Sequence, residues 1–391
     1  MIIKPKIRGF ICTTAHPVGC AEVVKKQIDY VKAQKPIEDC PKKVLVIGSS
    51  MGYGLASRIA LAFGGKADTL GVMYDKPPQG SRTGTAGWYN TEAFEECAKD
   101  AGLYAKTVNG DAFSPDIKDM VIDVIKKDWE VCDMVVYSLA APRRSLYDSE
   151  DGESDTVVSS VLKTIGDDYT NKTINLQTGE ITKVTVTPAT DEEIAATVKV
   201  MGGEDWEDWI SALSDAGVLD PKAVTIAYSY IGPELTHPLY KDGTIGKAKE
   251  NLVETAKKIE AENDGVSAFV AVNKALVTQS SSAIPIVPLY ISVLFKVMKE
   301  KGCHEGTIEQ MYRLFADKLF NTDTEIATDE NGLIRMDDYE MSPDVQAEVA
   351  AIWEMINSDN AKELADISGY KHDFLELFGF DVPYVDYNAE V

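Results

Sequence analysis

Lys43-Val-Leu-Val-Ile-Gly48-Ser-Ser-Met-Gly52-Tyr-Gly54 decides the fold. A short unbroken apolar run ending in glycine reads as a strand buried on both faces. Residues 55–63 follow as a helix, stopped by Gly64-Gly65. Between strand and helix, the glycines permit a tight turn and let the backbone come close to a pyrophosphate. The helix N-terminus adds unpaired N–H groups and a partial positive charge. The spacing is G-x-x-x-G-x-G rather than G-x-G-x-x-G. The weight therefore rests on the strand–turn–helix setting more than on the glycine triplet.

The same rhythm extends outward. Strands are expected at 68–74, 104–108, 133–139, 223–231 and 266–272, with helices at 91–101, from Ser114-Pro115 onward, and at 246–262. Repeated β-α-β units imply an α/β fold, a Rossmann-type doubly wound parallel sheet. In such a sheet ligands sit beyond the carboxyl ends of the strands, where strand order reverses. Residues 1–40 are expected to pack on a cofactor domain made of 41–140 and 220–300. Residues 141–219 break the rhythm and read as an inserted substrate-side region over one sheet edge. They hold a hairpin at 173–187, a capping box at Thr190-Asp-Glu-Glu193, and a helical stripe of Trp206, Trp209, Ile210 and Leu213 read as core. Residues 301–391 are expected to be a mostly helical extension with a hairpin around Asn331-Gly332.

Composition limits the function. The 391 residues are 45% hydrophobic and 26% charged, with a net charge of −24, so ordinary globular packing is expected. That acidity disfavours nucleic acid and anionic membrane surfaces as partners. No apolar run approaches the roughly 20 residues a membrane span needs, and Met1-Ile-Ile-Lys-Pro-Lys-Ile-Arg8 lacks a signal-peptide core. A cytoplasmic protein is expected, as a monomer or small homo-oligomer. The six cysteines are scattered and form no disulfide framework. Cys12, His16 and Cys20 step by four, but Pro17 and Gly19 argue against a regular helix there, and three residues fall short of a structural zinc set. No metal is expected.

Two constellations carry chemistry. Asp75 closes the second strand, where a carboxylate accepts hydrogen bonds from the adenosine ribose and repels a 2′-phosphate. That favours NADH over NADPH, with Lys76 beside it working the other way. Asp111-Ala112 after the third strand and Leu139-Ala140 after the fourth stand where further nucleotide contacts occur. The second constellation is Tyr230, Tyr240 and Lys249, all following the fifth strand. A tyrosine titrates near pH 10 and needs help to act as an acid, which a nearby lysine can give. On one helix Tyr240 and Lys249 would stand about 900° apart, on opposite faces. They can cooperate only if Tyr240 precedes the helix, and Gly243 and Gly246 supply that break.

Gly48-Ser-Ser-Met-Gly-Tyr-Gly54, Tyr228-Ser-Tyr-Ile-Gly-Pro-Glu234, the Tyr-x8-Lys pair and Leu276-Val-Thr278 resemble the flavin-independent trans-2-enoyl-CoA reductases. These are kin to a class of bacterial enoyl-ACP reductases, and both are enlarged relatives of the short-chain dehydrogenase/reductases. The resemblance spans the chain, from Ala15-His-Pro-Val-Gly-Cys20 to Gly369-Tyr-Lys-His-Asp373. It implies NADH as cofactor, with neither flavin nor metal, and an acyl-thioester substrate carried by CoA. Acyl carrier protein is the alternative carrier. It implies that Gly48, Ser49, Ser50, Met51, Gly52 and Tyr53 hold the pyrophosphate. Tyr74, Asp75, Asp111 and Ala112 then hold the adenosine end, and Leu139 and Ala140 line the cofactor path. Leu276, Val277 and Thr278 meet the nicotinamide. It further implies Tyr240 as proton donor, Lys249 on the nicotinamide ribose and Tyr230 facing the thioester. Both phenols are then expected to hydrogen-bond the carbonyl oxygen. Similar proteins often carry Glu where this chain has the shorter Asp75. Phe295, in the apolar stretch 284–298, reads either as a wall of the acyl pocket or as core. A ketoreductase would usually show a serine ahead of a shorter Tyr-Lys pair, which the chain lacks. A non-catalytic dinucleotide sensor has no use for the Tyr240/Lys249 pair.

Overall fold

The computed structural model describes residues 1–9, 11–147, 156–320 and 325–391. Its centre is a seven-stranded parallel sheet. In chain order the strands are β1 (Lys43–Ile47), β2 (Asp68–Met73), β3 (Ala105–Asn109), β4 (Cys132–Tyr137), β5 (Leu219–Ser229), β6 (Ser267–Val272) and β7 (Leu333–Arg335). They lie side by side as β7-β6-β5-β4-β1-β2-β3. The chain winds from β1 outward through β2 to β3, then returns to β4 and winds the other way. Strand order thus reverses between β1 and β4, which places the ligand crevice at their carboxyl ends. β1 is central because Val44 and Val46 on one face and Leu45 and Ile47 on the other are all fully buried.

Helices cover both faces. Val44, Val46 and Met134 pack under α1 (Pro17–Lys32), α2 (Gly52–Ile59) and α3 (Ala86–Asp100). α1 corrects one expectation. Pro17 opens this helix, where its missing N–H costs nothing, and His16 caps it by accepting from the Gly19 N–H at 3.2 Å. Gly19 is there for contact: a Cβ would stand 1.8 Å from the Gly379 carbonyl oxygen. Among the described residues no three His, Cys, Asp or Glu side chains cluster as metal ligands, and no helix is long and apolar enough to cross a membrane.

The opposite face, Leu45, Ile47 and Val135, packs under α4 (Pro115–Asp128). Beyond it, α5 (Asp191–Met201) keeps the capping box read from Thr190. α6 (Glu204–Asp215) and α7 (Thr244–Glu262) complete that face. The expectation that all of 141–219 lies over one sheet edge is corrected. α6 is the crossover helix between β4 and β5. Trp206 and Trp209 are fully buried against the sheet, with indole N–H groups bonded to Thr225 Oγ1 (2.8 Å) and the Ala112 carbonyl (3.1 Å). The added part is the strand pair Arg143–Leu146 and Thr156–Ser159, the hairpin Tyr169–Ile174 and Ile181–Val186, and α5.

A third core lies past the ends of β5 and β6, where α8 (Val287–Glu300) packs with the helices Pro343–Met355 and Ile367–Glu376. The hairpin expected around Asn331-Gly332 is a third correction. Gly332 turns at φ +80°, but the residues after it pair in parallel with β6, Val270 opposite Leu333, as the seventh strand.

Candidate active site

The turn after β1 is built for close approach. Gly48 has φ +83°, and a Cβ there would stand 2.2 Å from the Ser138 carbonyl oxygen; one on Gly54 would stand 1.9 Å from that of Gly48. Glycine at both places lets α2 start against β4. Ser49 is fully buried, its hydroxyl on the Val72 carbonyl at 3.2 Å. Met51 is extended, and no side chain caps the helix that starts at Gly52. The first N–H groups of α2 therefore face the crevice without intrahelical partners. Tyr53 reaches across to the end of β6, donating to the Lys274 carbonyl at 2.7 Å. Leu139 packs on Gly48, while Ala140 beyond it is exposed.

At the end of β2, Tyr74 is exposed and Asp75 half-buried. The Asp75 carboxylate accepts from the Thr85 hydroxyl at 2.7 Å and closes on Gly87, where a Cβ would meet both it and the Ser50 hydroxyl. Asn109 clasps the Asp75 backbone, accepting its N–H and donating to its carbonyl, both at 2.9 Å. Asp111 accepts from the Phe113 N–H (3.1 Å) and the Tyr147 hydroxyl (3.0 Å). The Ala112 carbonyl is held by Trp209 and by Lys118, and Lys118 pairs at 2.8 Å with buried Asp205. A dinucleotide fits these residues: an open glycine cradle, a helix N-terminus, and a carboxylate one strand away.

On the other side of the crevice, Tyr230 follows β5 directly and Tyr240 lies in the turns before α7. Their rings pack edge to face, centroids 4.7 Å apart. Tyr240 is 8% exposed, and among the described residues its hydroxyl has no hydrogen-bond partner. α7 begins at Thr244, so Lys249 sits in its second turn, not its first, with its ammonium on the Tyr228 carbonyl at 2.8 Å. Burial holds the Lys249 amine down to about 8. It pushes the Tyr240 phenol up, with Glu340 and Tyr370 adding to the rise. The expected lowering of Tyr240 by Lys249 is not seen: desolvation leads, and the Lys249 ammonium is engaged on the Tyr228 carbonyl.

The Tyr230 hydroxyl donates to Glu340 Oε1 at 3.0 Å. In this arrangement its hydrogen is not available to a substrate, against the expectation of two phenol donors. Leu276 and Val277 are buried after β6, and the Thr278 N–H is tied to Ser281 Oγ at 2.9 Å. Phe295 is fully buried on α8, its ring carrying the Lys274 ammonium at 4.5 Å and the edge of His304. Glu340, Tyr290, Lys274 and Tyr370 were not singled out from the sequence. None stands in a local pattern; they meet only because α8 and the C-terminal helices pack beyond β5 and β6.

Comparison with known proteins agrees with this geometry. Residues 82–320 match the trans-2-enoyl-CoA reductase catalytic region, residues 2–80 the NAD(P)H binding domain of trans-2-enoyl-CoA reductase, and residues 328–391 an enoyl reductase FAD binding domain. The chain is 54% identical to a trans-2-enoyl-CoA reductase [NADH] of Ruminiclostridium cellulolyticum, covering 100% of this chain and 98% of that one. It is 55% identical, with the same coverage, to an enoyl-[acyl-carrier-protein] reductase [NADH] of Opitutus terrae. The crystal structure of the Treponema denticola trans-2-enoyl-CoA reductase in complex with NAD superposes with a TM-score of 0.94 at 51% identity, covering 100% and 98% of the two chains. The Clostridium acetobutulicum enzyme in complex with NADH gives 0.95 at 47%, again covering 100% and 98%.

The segment 328–391 spends its glycines and acidic side chains within the fold. Its three glycines, Gly332, Gly369 and Gly379, make a turn before β7, receive the Asp366 cap, and pack on Cys20. The loop after β7 is acidic, with Asp337 on Arg335, Asp338 on Arg313, and Glu340 on Tyr230. Matched by a family model over 239 of its 391 residues and by relatives above half identity along its whole length, the chain belongs to the trans-2-enoyl-CoA reductase family and is an oxidoreductase.

Proposed function

We propose that the protein uses NADH to reduce the carbon–carbon double bond of a short trans-2-enoyl-CoA, such as crotonyl-CoA, without flavin or metal. The observation that carries this is Tyr240: the residue is buried and packed edge to face on Tyr230, yet among the described residues its hydroxyl has no hydrogen-bond partner. Bound NADH supplies the hydride that goes to the substrate β-carbon. As the thioester oxygen gains negative charge, Tyr240 donates a hydrogen bond to it. One preorganised donor of this kind is worth roughly 3–4 kcal/mol in the transition state. Burial keeps the phenol protonated, so it holds its proton until that charge develops and then supplies it to complete the reduction. The Lys249 ammonium, which reaches from α7 to the Tyr228 carbonyl at the end of β5, would hold the nicotinamide ribose. Asp75 would accept the adenosine ribose hydroxyls and repel a 2′-phosphate. Gly48 to Tyr53 would cradle the pyrophosphate, with Tyr74, Asp111, Ala112, Leu139 and Ala140 along its adenosine side and Leu276 to Thr278 at the nicotinamide. Phe295, on α8, belongs to the acyl end.

The test is NADH consumption with crotonyl-CoA and no added flavin, repeated with NADPH and with crotonyl-ACP. Faster turnover with NADH and CoA is expected. Preference for the carrier protein, for NADPH, or for added flavin would each overturn the corresponding part.

A further inference from the structure

We propose that Glu340 is a positioning residue for the reduction: it takes the Tyr230 hydroxyl hydrogen and so leaves Tyr240 as the phenol that donates to the substrate oxygen. This rests on the reading that Tyr240 faces the enoyl thioester. Glu340 is fully buried and lies just after β7. Its Oε1 accepts from Tyr230 at 3.0 Å and from Tyr290 of α8 at 2.6 Å, and its Oε2 accepts from the Ala275 N–H at 2.7 Å. Among the described residues no lysine or arginine makes an ion pair with it. Lys274 is near, but its ammonium turns to the Ala275 carbonyl at 3.0 Å. Three donors from three elements, rather than a cation, thus hold a buried carboxylate in place.

The consequence follows from the hydrogen count. A phenol has one hydrogen to give. While Glu340 holds that of Tyr230, the Tyr230 oxygen offers lone pairs alone, and the edge-to-face contact at 4.7 Å fixes the Tyr240 ring beside it. The residue that sets this order comes from the C-terminal extension, which thereby completes the active site.

Glu340→Gln keeps the shape and reverses the bonds. An amide that turns its oxygen to the Ala275 N–H must point its own N–H groups at both phenol oxygens, which frees the Tyr230 hydrogen to draw the substrate oxygen off Tyr240, the proton donor. We expect kcat on crotonyl-CoA to fall at least about tenfold in E340Q, with NADH affinity and thermal midpoint close to wild type. Combining it with Tyr230→Phe should cost no more than about threefold beyond the worse single variant, because both act through one hydroxyl. Losses that multiply, or a folded E340Q with kcat within about threefold of wild type, overturn the proposal. Should E340Q fail to fold, Glu340→Asp, whose arm one methylene shorter draws the acceptor back from the Tyr230 hydroxyl, goes through the same cycle with the same two outcomes. A wild-type enzyme inactive on both crotonyl thioesters overturns the underlying reading and this proposal together. An active wild type with multiplying losses overturns this proposal alone.

Discussion

Tyr240 and Lys249 show what burial does to single residues. Tyr240→Phe removes one hydroxyl and leaves the ring packed on Tyr230. Its kcat should fall by about 10²–10³ while the NADH dissociation constant stays unchanged; weakened NADH binding or full turnover would contradict the assignment. Buried Lys274 and half-buried Lys249 make a pH prediction. Lys249 and Lys274 are each held down to about 8 by burial, against 10.5 when unfolded. Between those values the unfolded chain binds more protons than the folded one, so stability rises with pH across that window. Below about pH 8 each folded lysine is charged at a desolvation cost. Urea unfolding of the cofactor-free protein should therefore show higher stability at pH 9 than at pH 7. The gain should shrink in Lys249→Met.

At the scale of elements, the β1–turn–α2 unit separates two roles of glycine. Gly54 is a contact residue, since its Cβ would lie 1.9 Å from backbone. Gly52 has φ +54° and open space around it. Gly54→Ala should push α2 off the turn after β1, costing about 1–3 kcal/mol of stability along with NADH affinity. Gly52→Ala should cost about 1 kcal/mol for its backbone and lose NADH affinity chiefly because its methyl enters the crevice. Thermal midpoints and NADH titrations of the two variants separate these effects. This unit was legible because strand, turn and helix adjoin in sequence and each leaves a local pattern. β7 was not. Three residues carry no readable period, and Asn331-Gly332 is as good a turn before a parallel strand as before a hairpin. Its partner β6 lies far back along the chain, and nothing local names it.

For the whole molecule, the C-terminal extension is structural and chemical at once. A chain ending at residue 327 would lack β7, Glu340 and the helices that cover α8. It would leave β6 as an open edge and expose Leu289, Ile291 and Val293, all fully buried in the intact chain. Such a chain should aggregate and fail to bind NADH. A soluble truncated protein with full NADH affinity, measured by fluorescence titration, would show the extension to be dispensable to the cofactor domain. The helix carrying Trp206 and Trp209 teaches the same lesson. Its stripe identified it as core, but only the sheet it packs on shows that it is a crossover helix rather than part of an edge insertion.

By itself the sequence determined the doubly wound sheet and its glycine turn, and it named Asp75, Tyr230, Tyr240 and Lys249 as candidates. The glycine turn, Asp75 and Tyr230 directly follow strands, Tyr240 and Lys249 stand in the loop and helix that follow β5, and hydrophobic period and turn chemistry are local properties. Tertiary structure alone decided which phenol keeps a free hydrogen, because that depends on Glu340, 110 residues beyond Tyr230. It also decided that burial raises Tyr240 where the Tyr–Lys spacing implied a lowered value. Desolvation is set by everything that surrounds a group, and what surrounds Tyr240 comes from α8 and the C-terminal helices as well as from its own strand and loop.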